Sequence, residues 1–113
     1  MFKVINNTDD DTDKFEAAIG IYPWCENLAF QNAPLLVLIG ESDDWTPAIR
    51  CSRYLKSTEP KHETVLKIYS GAYHDFDWEG VNKEYLGHRL LYDPKATADT
   101  IIQVKNFLAK YLK

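Results

Sequence analysis

An unbroken apolar run, Leu35 to Ile39, stands between Pro34 and Gly40. No polar position in it marks a solvent side, so it predicts a strand covered on both faces. Such strands belong to parallel sheets with helices above and below. The run is far too short to cross a bilayer.

Two more runs share this punctuation. Ala17 to Tyr22 ends at Pro23, and Thr64 to Tyr69, rich in β-branched and aromatic residues, ends before Gly71; both read as strands. Thr46-Pro47 is a helix start signal, and Cys51, Tyr54 and Leu55 then fall on one face. A second helix is expected from about Thr97 to Leu112, with Ile101, Val104, Leu108 and Tyr111 as its apolar stripe and Lys110 and Lys113 near its C-terminal end. The order strand, strand, helix, strand, helix predicts an α/β fold: three parallel strands flanked by helices on both faces. Pro23 to Pro34 is expected to form a short crossover with a helical turn around Glu26 to Phe30, and Gly71 to Pro94 a long irregular loop. Residues 1–14, with Asp9, Asp10 and Asp11 in a row, read as a polar N-terminal arm; residues 15–113 read as the folded unit.

The chain has 113 residues and 45% hydrophobic positions, enough for one core. With 17 acidic and 13 basic residues its net charge is −4, and no basic stripe points to nucleic acid. No basic amphipathic helix points to a membrane surface. The N-terminal Met-Phe-Lys-Val-Ile is too short an apolar core for a signal peptide, so the expected location is cytoplasmic. Cys25 and Cys51 do not make a disulfide framework and read as reduced, packed thiols.

Two loops carry candidate chemistry: Gly40 to Pro47 after the second strand, and Ser70 to Phe76 after the third. In a parallel sheet both leave the same edge, so an Asp of the first can meet His74 of the second. A histidine base needs one ring nitrogen free for the proton it takes and the other held by a carboxylate. Asp43 and Asp44 both qualify by position, and both also suit the start of a helix. The cluster His74, Asp75 and Asp77 is read without a metal, and no cofactor is expected. Ser42 and Ser70 read as solvated loop serines, and Cys25 as a poor replacement nucleophile. Trp24, Trp45, Tyr73, Phe76 and Trp78 crowd the same edge, either as the lining of an apolar pocket or as uncovered surface.

The stretches Ala17 to Cys25, Gly40-Glu41-Ser42-Asp43-Asp44-Trp45-Thr46-Pro47 and Gly71-Ala72-Tyr73-His74-Asp75-Phe76 resemble the dienelactone hydrolase family, as does the ending from Gly87-His88 through Tyr92-Asp93. The resemblance covers residues 15–113 and implies the C-terminal half of an α/β-hydrolase. By the family's Gly-x-x-Asp-x-x-x-Pro pattern, Asp43 matches the triad acid and His74 the base. The family's Ser or Cys nucleophile, in Gly-x-Ser-x-Gly or its Cys equivalent, has no match in the sequence. The resemblance therefore implies an ester or lactone hydrolase fragment, truncated or split, whose activity depends on an upstream half. The alternative is an inactive remnant serving as an oligomeric assembly or binding module. In the parent fold the nucleophile strand would pair with Ala17 to Tyr22. Without it this apolar strand is expected to be an open edge, through which the chain forms a homo-oligomer or binds an upstream-half partner.

Overall fold

A computed structural model describes residues 2–5, 17–25, 33–57 and 62–112. Strands β1 (Phe2–Ile5), β2 (Ala17–Ile21), β3 (Leu35–Gly40) and β4 (Thr64–Tyr69) form one sheet in that order. β2, β3 and β4 are parallel, with Ile19 opposite Leu36 and Leu36 opposite Val65. Helix α1 (Ala48–Ser57) lies between β3 and β4, and α2 (Pro94–Tyr111) closes the fold.

The period-two alternation of strand side chains divides the core between the two faces. On one face Ala17, Ile19, Ile21, Leu36 and Leu38 pack with Ala96 and Phe107 of α2, joined by Val104, Leu108 and Tyr111. On the other, Ala18, Leu35, Val37 and Ile39 pack with Ala48 and Cys51 of α1, joined by Tyr54 and Leu55. Every residue of β3 is buried, as a strand covered on both sides requires. The α/β architecture expected from the sequence is the one observed.

Four expectations are corrected. The edge at Ala17–Tyr22 is not bare: β1 pairs with β2 antiparallel, Val4 opposite Ala18. Residues 2–5 thus leave the expected loose arm and become a strand; the rest of that arm, and the turn expected at Glu26 to Phe30, lie outside the described residues. The Gly71–Pro94 segment is not irregular throughout, because β5 (Asn82–Tyr85) and β6 (His88–Leu91) form an antiparallel hairpin within it. Its two-residue turn places Leu86 at φ 51° and Gly87 at φ 80°, both left-handed as a tight hairpin demands. Third, α2 begins at Pro94, a turn before Thr97. Asp93 caps it, accepting the Ala96 N–H at 3.0 Å, while the Thr97 hydroxyl donates to the Phe76 carbonyl. Ile101, expected in the apolar stripe, is half exposed.

The fourth correction concerns the cysteines. The segment leaving β2 and the first turns of α1 share one side of the sheet, which brings the Cα atoms of Cys25 and Cys51 within 4.8 Å. They form a disulfide, and both are fully buried. Among the described residues no helix is long and apolar enough to cross a membrane.

Candidate active site

The site lies at the carboxyl ends of the parallel strands, where the loop after β3 meets the loop after β4. Gly40 makes this possible. A Cβ there would overlap the Ala72 carbonyl oxygen, so only glycine lets the two loops touch. Just beyond, the Ser42 N–H donates to that same carbonyl at 2.9 Å. The second loop is thereby fixed against the first, two residues before His74.

Asp43 and His74 meet in this junction. His74 Nδ1 lies 2.8 Å from Asp43 Oδ2. The carboxylate is almost wholly buried, and each of its oxygens has two partners. Oδ1 accepts the backbone N–H groups of Trp45, at 2.9 Å, and Thr46, at 2.7 Å. Oδ2 faces the His74 ring and accepts the Thr46 hydroxyl at 2.9 Å. A carboxylate with all its lone pairs engaged can stay ionised without water. Loop chemistry sets this up locally, because an Asp bonding backbone N–H groups two and three residues on is the usual device for turning a chain into a helix.

With Nδ1–H given to Asp43, the His74 lone pair sits on Nε2. Nε2 makes no hydrogen bond among the described residues; the nearest charged atom is Asp75 Oδ1, at 3.8 Å. The ring is 14% exposed by side chain. It is held between aromatic neighbours, Tyr22 edge-on at 4.5 Å between centroids and Trp45 tilted at 5.2 Å. Such an arrangement fixes the tautomer and the ring plane and leaves one nitrogen able to take a proton.

Asp44, the neighbour most easily confused with Asp43, points elsewhere. Its Oδ1 lies 3.2 Å from His88 Nδ1 at the base of β6, where the His88 ring stacks on Trp45 at 4.8 Å. Asp44 therefore holds the hairpin, and Asp43 holds the histidine. Asp75 turns its backbone left-handed, φ 60°, and stays beside Nε2. Asp77 accepts the Tyr22 hydroxyl at 2.8 Å. The aromatic residues expected at this edge divide. Trp45 and Trp78 line a cleft beside the site, Phe76 is buried in the core, and Trp24 lies under the Arg50 guanidinium at 4.6 Å. Cys25, held in its disulfide, has no thiol to offer.

Two residues escaped the sequence reading. Thr46 is more than a helix-start signal, because its hydroxyl lies within 3.1 Å of both His74 Nδ1 and the Tyr22 carbonyl as well as bonding Asp43. The spacing of Asp43 to a Thr-Pro pair was the available clue. Tyr22 takes φ 40°, left-handed and strained for a tyrosine, and so turns its ring onto His74. Burial first, then Asp77, pushes the Tyr22 phenol well above its ordinary pKa, so it remains a donor. Nothing in the sequence marks that backbone turn.

The chain matches the dienelactone hydrolase family over residues 5–112. No curated protein matches it. Among solved structures it resembles an alpha-beta serine hydrolase homologue from Coxiella burnetii, with 16% identity and a TM-score of 0.48. That likeness covers 89% of this chain and 40% of the other, so the chain spans well under half of that protein's length. A family match spanning nearly every residue, over the loops that join Asp43 to His74, shows that the chain belongs to the dienelactone hydrolase family.

Proposed function

We propose that Asp43 and His74 are the acid and the base of a carboxylic ester or lactone hydrolase. The 2.8 Å contact between a buried, fully bonded carboxylate and a histidine whose second nitrogen has no hydrogen bond among the described residues carries this reading. In the proposed reaction Nε2 takes the proton of a serine hydroxyl or cysteine thiol. The nucleophile then attacks the ester carbonyl, the C–O bond breaks, and the leaving alcohol takes the proton back. Water repeats the sequence to release the acid. Asp43 keeps Nδ1 protonated and offsets the imidazolium charge throughout.

The sequence holds no nucleophile elbow, and the disulfide removes Cys25 from consideration. The nucleophile in this reading comes from a polypeptide segment outside these residues. It docks at the β2 edge in place of β1, and this chain by itself is catalytically silent.

The pair is tested by the His74 ring resonances in nuclear magnetic resonance. A downfield Nδ1 proton is expected in the wild type and absent in Asp43→Asn, while Asp44→Asn leaves it in place. Unchanged His74 resonances in Asp43→Asn would remove Asp43 from the site. Silence is tested by hydrolysis of p-nitrophenyl acetate. The wild type and His74→Ala are both expected at the buffer rate. Turnover that His74→Ala abolishes would mean a nucleophile exists within these residues.

A further inference from the structure

The β5–β6 hairpin encloses, against the two site loops, a cleft of about 320 Å³ lined by Trp45, Asp75, Trp78, Lys83, Tyr85 and Leu90. That is at the lower end of the about 300–1,000 Å³ typical of small-molecule sites. It opens beside the candidate base, because Trp45 contacts the His74 ring and Asp75 is the carboxylate nearest Nε2.

We infer that this cleft is the recognition subsite of the hydrolase site and takes an uncharged, flat aromatic ring of an aryl ester. The inference rests on reading His74 as the base of that site.

The lining argues for a ring. Three of the six residues are aromatic: Trp45 packs against His74 and His88, while Trp78 and Tyr85 stand largely exposed. Trp78 is 61% exposed and makes no ring contact among the described residues, and Tyr85 is 49% exposed. Exposed aromatic faces beside a reactive nitrogen gain most from a ligand that stacks on them. The Trp78 backbone N–H donates to the Asp75 carbonyl at 3.0 Å, so a backbone turn sets where the side chain begins. Trp45 and Tyr85, tilted by 30° with centroids 5.9 Å apart, add two more rings to the lining.

The charges argue for neutrality. One carboxylate, Asp75, lies at the His74 end, and one ammonium, Lys83, lies 5.6 Å over the Tyr85 ring. An anion drawn by Lys83 meets Asp75, and a cation drawn by Asp75 meets Lys83. With both signs in so small a space, shape and π surface discriminate more than charge does.

The test is titration of the whole chain with 2-naphthamide, read on the indole N–H signals of Trp24, Trp45 and Trp78. Trp24, under Arg50, is the internal control. Trp45 and Trp78 are expected to shift, and Trp24 to stay. Trp78→Ala should weaken binding about tenfold and Trp78→Phe largely restore it. The saturated decahydro analogue should bind at least about fivefold more weakly. The inference is overturned if no indole shifts, if all three shift together, if the saturated analogue binds equally well, or if 2-naphthoate binds more tightly than the amide. This titration reads indole signals and needs no turnover, whereas the Asp43–His74 pair is read on the His74 ring resonances. Loss of the His74–Asp43 pair and loss of the subsite are therefore separate results.

Discussion

At Gly40 the site depends on a missing atom. The loops bearing Asp43 and His74 touch because no Cβ lies between Gly40 and the Ala72 carbonyl. Gly40→Ala places a carbon against backbone that has no rotamer to retreat to. The expected cost is at the upper end of overpacking, about 3 kcal/mol, with a fall in Tm of roughly 12 °C or more by thermal denaturation. The same substitution should disturb the His74 ring resonances, because the Ala72 displacement is passed along two residues. A variant with wild-type Tm would mean that the loops part at little cost. Tyr69 makes a second prediction at this scale. Its hydroxyl donates to Asp99 at 2.8 Å, and burial, with the Asp99 carboxylate, pushes its pKa from 10.0 up to about 12. The folded state therefore holds the phenolic proton more tightly than the unfolded chain. The stabilisation is complete below about pH 10 and is lost as pH rises from about 10 to about 12. In denaturant melts across that range, Tyr69→Phe should fall less steeply with pH than the wild type. Parallel curves would show that Tyr69 carries none of the alkaline loss.

Among the elements, what was legible depended on whether the signal was local. β3 was readable because an apolar run between Pro34 and Gly40 has few other fates, and the observed strand differs by one residue. Asp43 and His74 were readable as candidates because parallel strands deliver their loops to one edge. Choosing Asp43 over Asp44 on geometry needed the hairpin, which gives Asp44 its own partner in His88. The hairpin was hidden because its turn uses Leu86-Gly87, and a leucine at φ 51° is no turn signal. The disulfide was hidden because Cys25 and Cys51 are 26 positions apart and meet only once β2 and α1 share a face. Being buried, it bears on both stability and the site. It ties the segment after β2, with Tyr22, to the helix after Thr46, and the Thr46 hydroxyl already reaches the Tyr22 carbonyl. Closing a loop of that length constrains the unfolded chain by about 3 kcal/mol. Cys25→Ser with Cys51→Ser should lose roughly that much in chemical denaturation and broaden the Tyr22 and His74 signals. An unchanged midpoint under reducing and oxidising conditions would mean the link contributes nothing.

For the molecule as a whole, the decisive feature is how the sheet ends. β2 is buried on both faces, and its free side would offer unpaired N–H and C=O groups along an apolar strand, the arrangement most prone to pairing with another chain. β1 covers that side in antiparallel register while β2, β3 and β4 run parallel, so the cover differs in sense from everything it borders. It is also short, Phe2–Ile5, with few ladder bonds to surrender. A short antiparallel cover can yield to a longer strand at modest cost, which is the physical basis for proposing this edge as the docking place of a nucleophile-bearing segment. Deleting residues 1–5 should therefore expose β2 and raise the mass measured by sedimentation velocity above that of the full chain at equal concentration. A synthetic Phe2–Ile5 peptide in excess should reverse the change. If the shortened chain sediments as the full one does, β1 is not what keeps the edge from pairing. Assembly through β2 then loses its physical basis, and a nucleophile would have to reach His74 from the hairpin side.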